Sequence, residues 1–144
     1  MTAAELAARC LELLGAPDGP IAIEPPTGPL ATALERCVRV DARAPVAAVC
    51  AFLGERADSA ARGARLDALA ARLVPGAPLA LVDHNQPRAW WRRPLAWVAL
   101  ARHGLAPSRA RHPVAREADA HGFRVERMRL VAGERLQLVL ARRR

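Results

Sequence analysis

Residues 78–83, Pro-Leu-Ala-Leu-Val-Asp, form an apolar run too short for a helix and preceded by Pro75-Gly76. Such a run reads as a strand buried on both faces, the kind found in parallel sheets. A long helical stretch follows it. Then come two segments of alternating pattern, 124–130 and 135–141, separated by Ala132-Gly133-Glu134. Alternating strands joined by a short glycine-containing turn pair antiparallel. One chain that holds a doubly buried strand and a half-buried hairpin must build a mixed sheet, with helices covering the parallel part.

The upstream half supplies the remaining elements. Thr2-Ala3-Ala4-Glu5 is a capping-box pattern. Leu6, Cys10, Leu13 and Leu14 then recur at helical spacing. Breakers at 15–20 end that helix, and Ile21-Ala22-Ile23 is a short strand. After the turn 24–29, Pro29 suits a helix start, with Leu30, Ala33 and Leu34 on one face. Cys37-Val38-Arg39-Val40-Asp41 reads as a second strand and 45–53 as a third. Residues 57–73 read as an alanine-rich helix with Leu66, Leu69 and Leu73 on its buried face. A further helix begins near Pro113. Strands alternating with helices predict an α/β domain with a covered parallel sheet.

With 144 residues and no internal linker, the chain is expected to be a single domain, 1–144. No apolar run approaches the ~20 residues that span a bilayer. The N-terminal residues lack the basic flank and apolar segment of a signal peptide, so the expected location is the cytosol. The formal net charge is +8, and all 22 basic residues are arginine. Two explanations stay open, a genomic arginine bias and a surface for polyanions. Cys10, Cys37 and Cys50 lack metal-ligand spacing and are expected to be buried free thiols. The four histidines are widely spaced, and no metal site is expected.

The helix ending in Leu73-Val74-Pro75-Gly76, the strand 78–83, and Gly122-Phe123 before a terminal hairpin together resemble the second half of class I S-adenosylmethionine-dependent methyltransferases. The resemblance implies a Rossmann-like three-layer sandwich, mostly parallel, with a C-terminal antiparallel hairpin. In the first half, Ile23-Glu24-Pro25-Pro26-Thr27-Gly28-Pro29-Leu30 looks like the family's acidic strand end and glycine loop, shortened and with prolines where glycines are expected. A proline removes an amide donor and fixes φ, the opposite of a permissive loop. Asp41 matches the acid that holds the ribose hydroxyls. Because the strand-like run 45–53 follows so soon, one crossover is missing.

The resemblance implies Glu24, Thr27, Gly28, Asp41 and Phe52 as contacts for S-adenosylmethionine. Strand C-termini in open α/β sheets face the ligand crevice, so Asp83, His84 and Asn85 are expected near an acceptor, with His84 the candidate acid–base residue. The segment after them holds all three tryptophans among arginines. Trp90, Trp91 and Arg92 could stack on and bind an acceptor. The same mixture suits a nucleic-acid surface, a membrane interface, or a helix whose indoles pack on the sheet. The functional expectation is methyl transfer to a small molecule. Its alternative is a non-catalytic relative acting as a protein-binding partner or homodimer, and a third reading is an RNA-binding domain.

Overall fold

The computed structural model of the protein describes residues 1–52, 59–85, 87–88, 90–102 and 114–144. Along the chain run α1 (Ala3–Leu14), β1 (Ile21–Glu24), α2 (Pro29–Glu35), β2 (Ala47–Ala51), α3 (Ser59–Arg72), β3 (Pro78–His84), a 3-10 turn (Trp90–Arg92), α4 (Arg93–Arg102), α5 (Val114–Ala120), β4 (Phe123–Val131) and β5 (Leu136–Arg143). The five strands form one sheet in the order β1-β2-β3-β5-β4. The first three are parallel, and β5 runs antiparallel to both β3 and β4.

The pleat divides the core. Ala48, Cys50, Leu79, Leu81, Val139 and Ala141 face Leu66, Leu69 and Leu73 of the α3 region and Val114 and Ala118 of α5. Ala47, Val49, Ala80, Val82 and Leu138 face Leu6, Cys10 and Leu13 of α1 and Leu34 of α2. Successive residues alternate between the two clusters because strand side chains have period 2. Both faces of β2 and β3 are therefore covered, which explains their unbroken apolar sequences. The architecture is the expected Rossmann-like α/β sandwich with a terminal hairpin.

The second strand expected at Cys37–Asp41 does not form. Only Val40 bridges β1, at Ile21, through Ile21 N to Arg39 O at 2.9 Å and Asp41 N to Ile21 O at 3.0 Å. The Asp41 carboxylate then accepts the Arg43 amide at 2.8 Å, and the chain turns away toward β2. Local β-propensity was present, but β1 offers only four residues to pair with. Cys37 consequently lies exposed rather than buried, while Cys10 and Cys50 are buried as expected. The chain passes from this bridge directly into β2, so the missing crossover is real. The helix read at 57–73 is α3, and residues 57 and 58 lie outside the described residues.

In the hairpin, the register shifts between Val125 and Arg127. The bulge twists β4 at the sheet edge, where Arg124, Arg127 and Arg129 are exposed. A bulge and charged side chains are common ways to blunt an open edge.

Candidate functional site

The carboxyl ends of β1, β2 and β3 open on a cavity of about 520 Å³. Its walls come from the start of α1 (Thr2, Ala3, Leu6), the end of β1 and its loop (Ile23, Pro25, Thr27, Gly28), the start of α2, Ala51, His84 and Leu136. The cavity lies on the α1 side of the sheet, because Ile23, Ala51 and Leu136 belong to that face. Ligands of open α/β sheets bind outside the carboxyl ends of the strands.

Each wall is fixed by a local device. Thr2 caps α1 reciprocally: its Oγ1 accepts the Glu5 amide at 3.2 Å, and its own amide donates to the Glu5 carboxylate at 2.7 Å. Gly28 is the N-cap of α2 and sits at φ +107°, a conformation L side chains rarely adopt. A Cβ built there would meet nothing within 4 Å, so space is open up to the backbone. His84 ends β3 opposite Leu136. Its amide donates to Asp83 Oδ1 at 2.7 Å, and its carbonyl accepts Gln137 Nε2 at 3.0 Å. The backbone of His84 is thereby held from both sides while its imidazole faces the cavity.

The opposite face of the same edge carries a buried ionic cluster. Arg62 of α3 is 3% exposed and Asp83 4%. Arg62 Nη2 donates to Asp83 Oδ2 at 2.7 Å and to Glu117 Oε2 at 2.8 Å, and its Nε donates to Glu117 at 3.1 Å. The guanidinium also lies 3.9 Å from the centre of the Phe52 ring. Burial opposes the charge, but the hydrogen bonds to Glu117 and the charge and hydrogen bond of Asp83 outweigh it. The Arg62 pKa therefore stands above its ordinary value. The cluster ties α3, α5 and the ends of β2 and β3 together.

Of the site residues expected from sequence, Thr27, Gly28 and His84 meet at the cavity. The others lie elsewhere. Glu24 alternates onto the far face, where its carboxylate is 3.7 Å from Arg72 Nη2. Asp41 serves its own turn. Phe52 packs beneath Arg62, and Asp83 is held by Arg62. Asn85 Nδ2 donates to the Glu134 carbonyl at 2.8 Å and lines a separate, shallower groove of about 370 Å³ with Arg88, Arg93, Met128 and Leu130. Trp90 and Trp91 are 72% and 64% exposed, and Arg92 is exposed beside them.

Sequence reasoning missed the start of α1, Ala51 and Leu136 as walls, and it missed Arg62. A signal for Arg62 existed. It falls four residues before Leu66 and seven before Leu69, on the apolar stripe of α3, where a charge must find a partner.

No family model matches the sequence. No curated protein matches it. Solved structures do match the fold. The mitomycin 7-O-methyltransferase MmcR aligns with 99% of the chain at TM-score 0.58 and 18% identity. Human N-acetylserotonin methyltransferase in complex with SAM aligns with 99% at TM-score 0.57 and 12% identity. Magnesium protoporphyrin IX methyltransferase (ChlM) from Synechocystis PCC 6803 with bound SAH aligns with 98% at TM-score 0.56 and 11% identity. The chain spans about half of the first two, 47% and 45%, and 83% of the third. The fold is thus that of class I S-adenosylmethionine-dependent methyltransferases.

Among the described residues, groups suited to one end of that cofactor are present at the cavity and groups for the other end are not. A glycine-walled cavity beside the start of α1 suits the close backbone approach that the methionine end requires. Among the described residues, no carboxylate lines the cavity to take the ribose hydroxyls, since Glu24 and Asp41 are both engaged elsewhere.

Proposed function

We propose that this fold serves as a reduced small-molecule methyltransferase, with the cavity between Gly28 and His84 holding the methionine end of S-adenosylmethionine and a neutral acceptor. The observation that carries the reading is the meeting of Thr27, Gly28 and His84 around one cavity at the carboxyl edge of a sheet with methyltransferase strand order. When bound, the cofactor supplies an electrophilic methyl group. The chain supplies enclosure, orientation and one titratable side chain on the wall. Leu6, Ile23, Leu136 and the prolines exclude water, and they favour an acceptor without formal charge. His84, held at its backbone, takes up at a ring nitrogen the proton leaving the acceptor.

A second reading has its own support. With no carboxylate for the ribose among the described residues of the cavity wall, the domain is a non-catalytic relative whose cavity binds an apolar ligand. The two readings separate in one titration. Calorimetry with S-adenosylhomocysteine should give saturable heat, weakened at least tenfold in Gly28→Val, if the first holds. No heat at millimolar ligand from folded protein ends the methyltransferase reading and leaves the second. Methyl acceptors are then screened among uncharged hydroxyl and amine compounds.

A further inference from the structure

The segment that follows His84 gathers five exposed large apolar side chains within nine residues. Trp90, Trp91 and Leu95 are 72%, 64% and 69% exposed, and Trp97 and Val98 are also exposed. Among the α4 residues whose burial is described, only Ala96 is buried. Trp90 and Trp91 meet edge to face with ring centres 6.0 Å apart, so they present one aromatic surface. A helix apolar on all sides is ordinarily buried. Arg88 and Arg93, which flank the tryptophan pair in the chain, also line a groove with Met128 and Leu130 of β4. Contiguous patches of this kind mark interaction sites.

Charge selects the occupant. Between Asn85 and Arg102 the chain has four arginines and no acidic residue. Arg93 reaches back to the carbonyls of Pro87 and Arg88, both at 3.3 Å, which fixes the turn carrying the tryptophans. Glu134 contacts the segment from outside, accepting the Arg88 amide at 3.0 Å. We propose that this face docks on the surface of an anionic lipid bilayer, with the indoles and Leu95 at the headgroup level and the exposed Arg88 and Arg92 on lipid phosphates.

Three physical points favour that partner. Tryptophan is enriched at membrane interfaces, where its ring is half in an apolar and half in a wet environment. A second copy of the chain would meet this patch with the same patch, since a two-fold interface is self-complementary, and would oppose arginines to arginines. A nucleic-acid strand would stack on the indoles but leave the aliphatic groups Leu95, Val98, Met128 and Leu130 in water. No helix among the described residues is long and apolar enough to cross a membrane, so the contact is a docking and not a span.

The test uses the whole chain and vesicles of phosphatidylcholine with or without phosphatidylglycerol. Co-sedimentation and a blue shift of tryptophan emission are read together. Binding is expected on the anionic vesicles and not on pure phosphatidylcholine, and it should fall with added salt. Trp90→Ser/Trp91→Ser should reduce the blue shift to what Trp97 alone gives and weaken binding at least tenfold. Arg88→Ser/Arg92→Ser should weaken it roughly fivefold per arginine. These residues are exposed, so circular dichroism should be unchanged. Absence of binding to anionic vesicles, binding that the substitutions leave intact, or tryptophan-dependent binding to single-stranded RNA or self-association in its place would each overturn the proposal.

Discussion

Replacing Arg62 with methionine should cost more than any other single change at the carboxyl edge. The side chain is 3% exposed and answers two carboxylates, Asp83 at 2.7 Å and Glu117 at 2.8 Å. Methionine keeps much of the volume and the contact with Phe52, so loss of packing contributes little. What remains is Asp83, itself 4% exposed, and Glu117, both deprived of the guanidinium that joined them. Breaking a buried ion pair from one side costs about 3–5 kcal/mol, because the orphaned charge stays desolvated. Domains of this size have a total stability of roughly 5–15 kcal/mol. The variant should therefore lose roughly a fifth or more of its resistance to urea at 25 °C, with the slope of the transition unchanged. Its Tm should fall by roughly 10 °C or more. The triple variant Arg62→Met/Asp83→Asn/Glu117→Gln removes all three charges and should recover at least half the loss. Equilibrium urea unfolding followed by circular dichroism measures both. If Arg62→Met shifts the midpoint no more than a surface substitution does, the cluster is not buried as described, and the reasoning fails.

Other perturbations have definite signs. Burial pushes the Cys10 thiol up to about 12 from its ordinary value of 9.0. Its contribution to stability is complete below pH 9 and is lost as pH rises toward 12. Cys10→Ala should flatten that alkaline decline in a pH series of urea melts. In native protein at pH 8, a thiol reagent should modify exposed Cys37 quickly and Cys10 and Cys50 only on unfolding. Thr2→Ala removes half of the capping box and should destabilise by about 1 kcal/mol, read as a lower urea midpoint. Gly28→Ala meets no steric obstacle but must hold φ at +107° with ψ at 173°, a region essentially confined to glycine, so about 1–3 kcal/mol of strain should appear in the same assay.

The sheet was readable because its signals are local. The run 78–83 has no polar interruption and became β3. The alternation after Gly122 became β4, although the bulge at Val125 and Arg127 left no trace in the pattern. The segment Cys37–Asp41 misled because strand propensity does not reveal the length of the partner. β1 has four residues, and only Ile21 bridges the segment, at Val40. Gly28 and His84 were legible as ends of strands and loops, where topology puts ligand-facing groups. Glu24 shows the limit of that rule. A carboxylate at a strand end lies on one face or the other according to the pleat, and here the pleat sends it toward Arg72. The α1 residues that wall the cavity are distant in sequence from every other wall, so no spacing could announce them. The sequence favoured a helix whose indoles pack on the sheet, and the exposure of all three tryptophans reverses that reading.

Amide chemical-shift mapping during titration with S-adenosylhomocysteine tests the central claim most directly. The account predicts saturable shifts at Thr27, Gly28, Ala31, Ala51 and His84, with Asp41 and Arg43 unmoved. A spectrum unchanged at millimolar ligand, or shifts confined to the Asp41 turn, would contradict it.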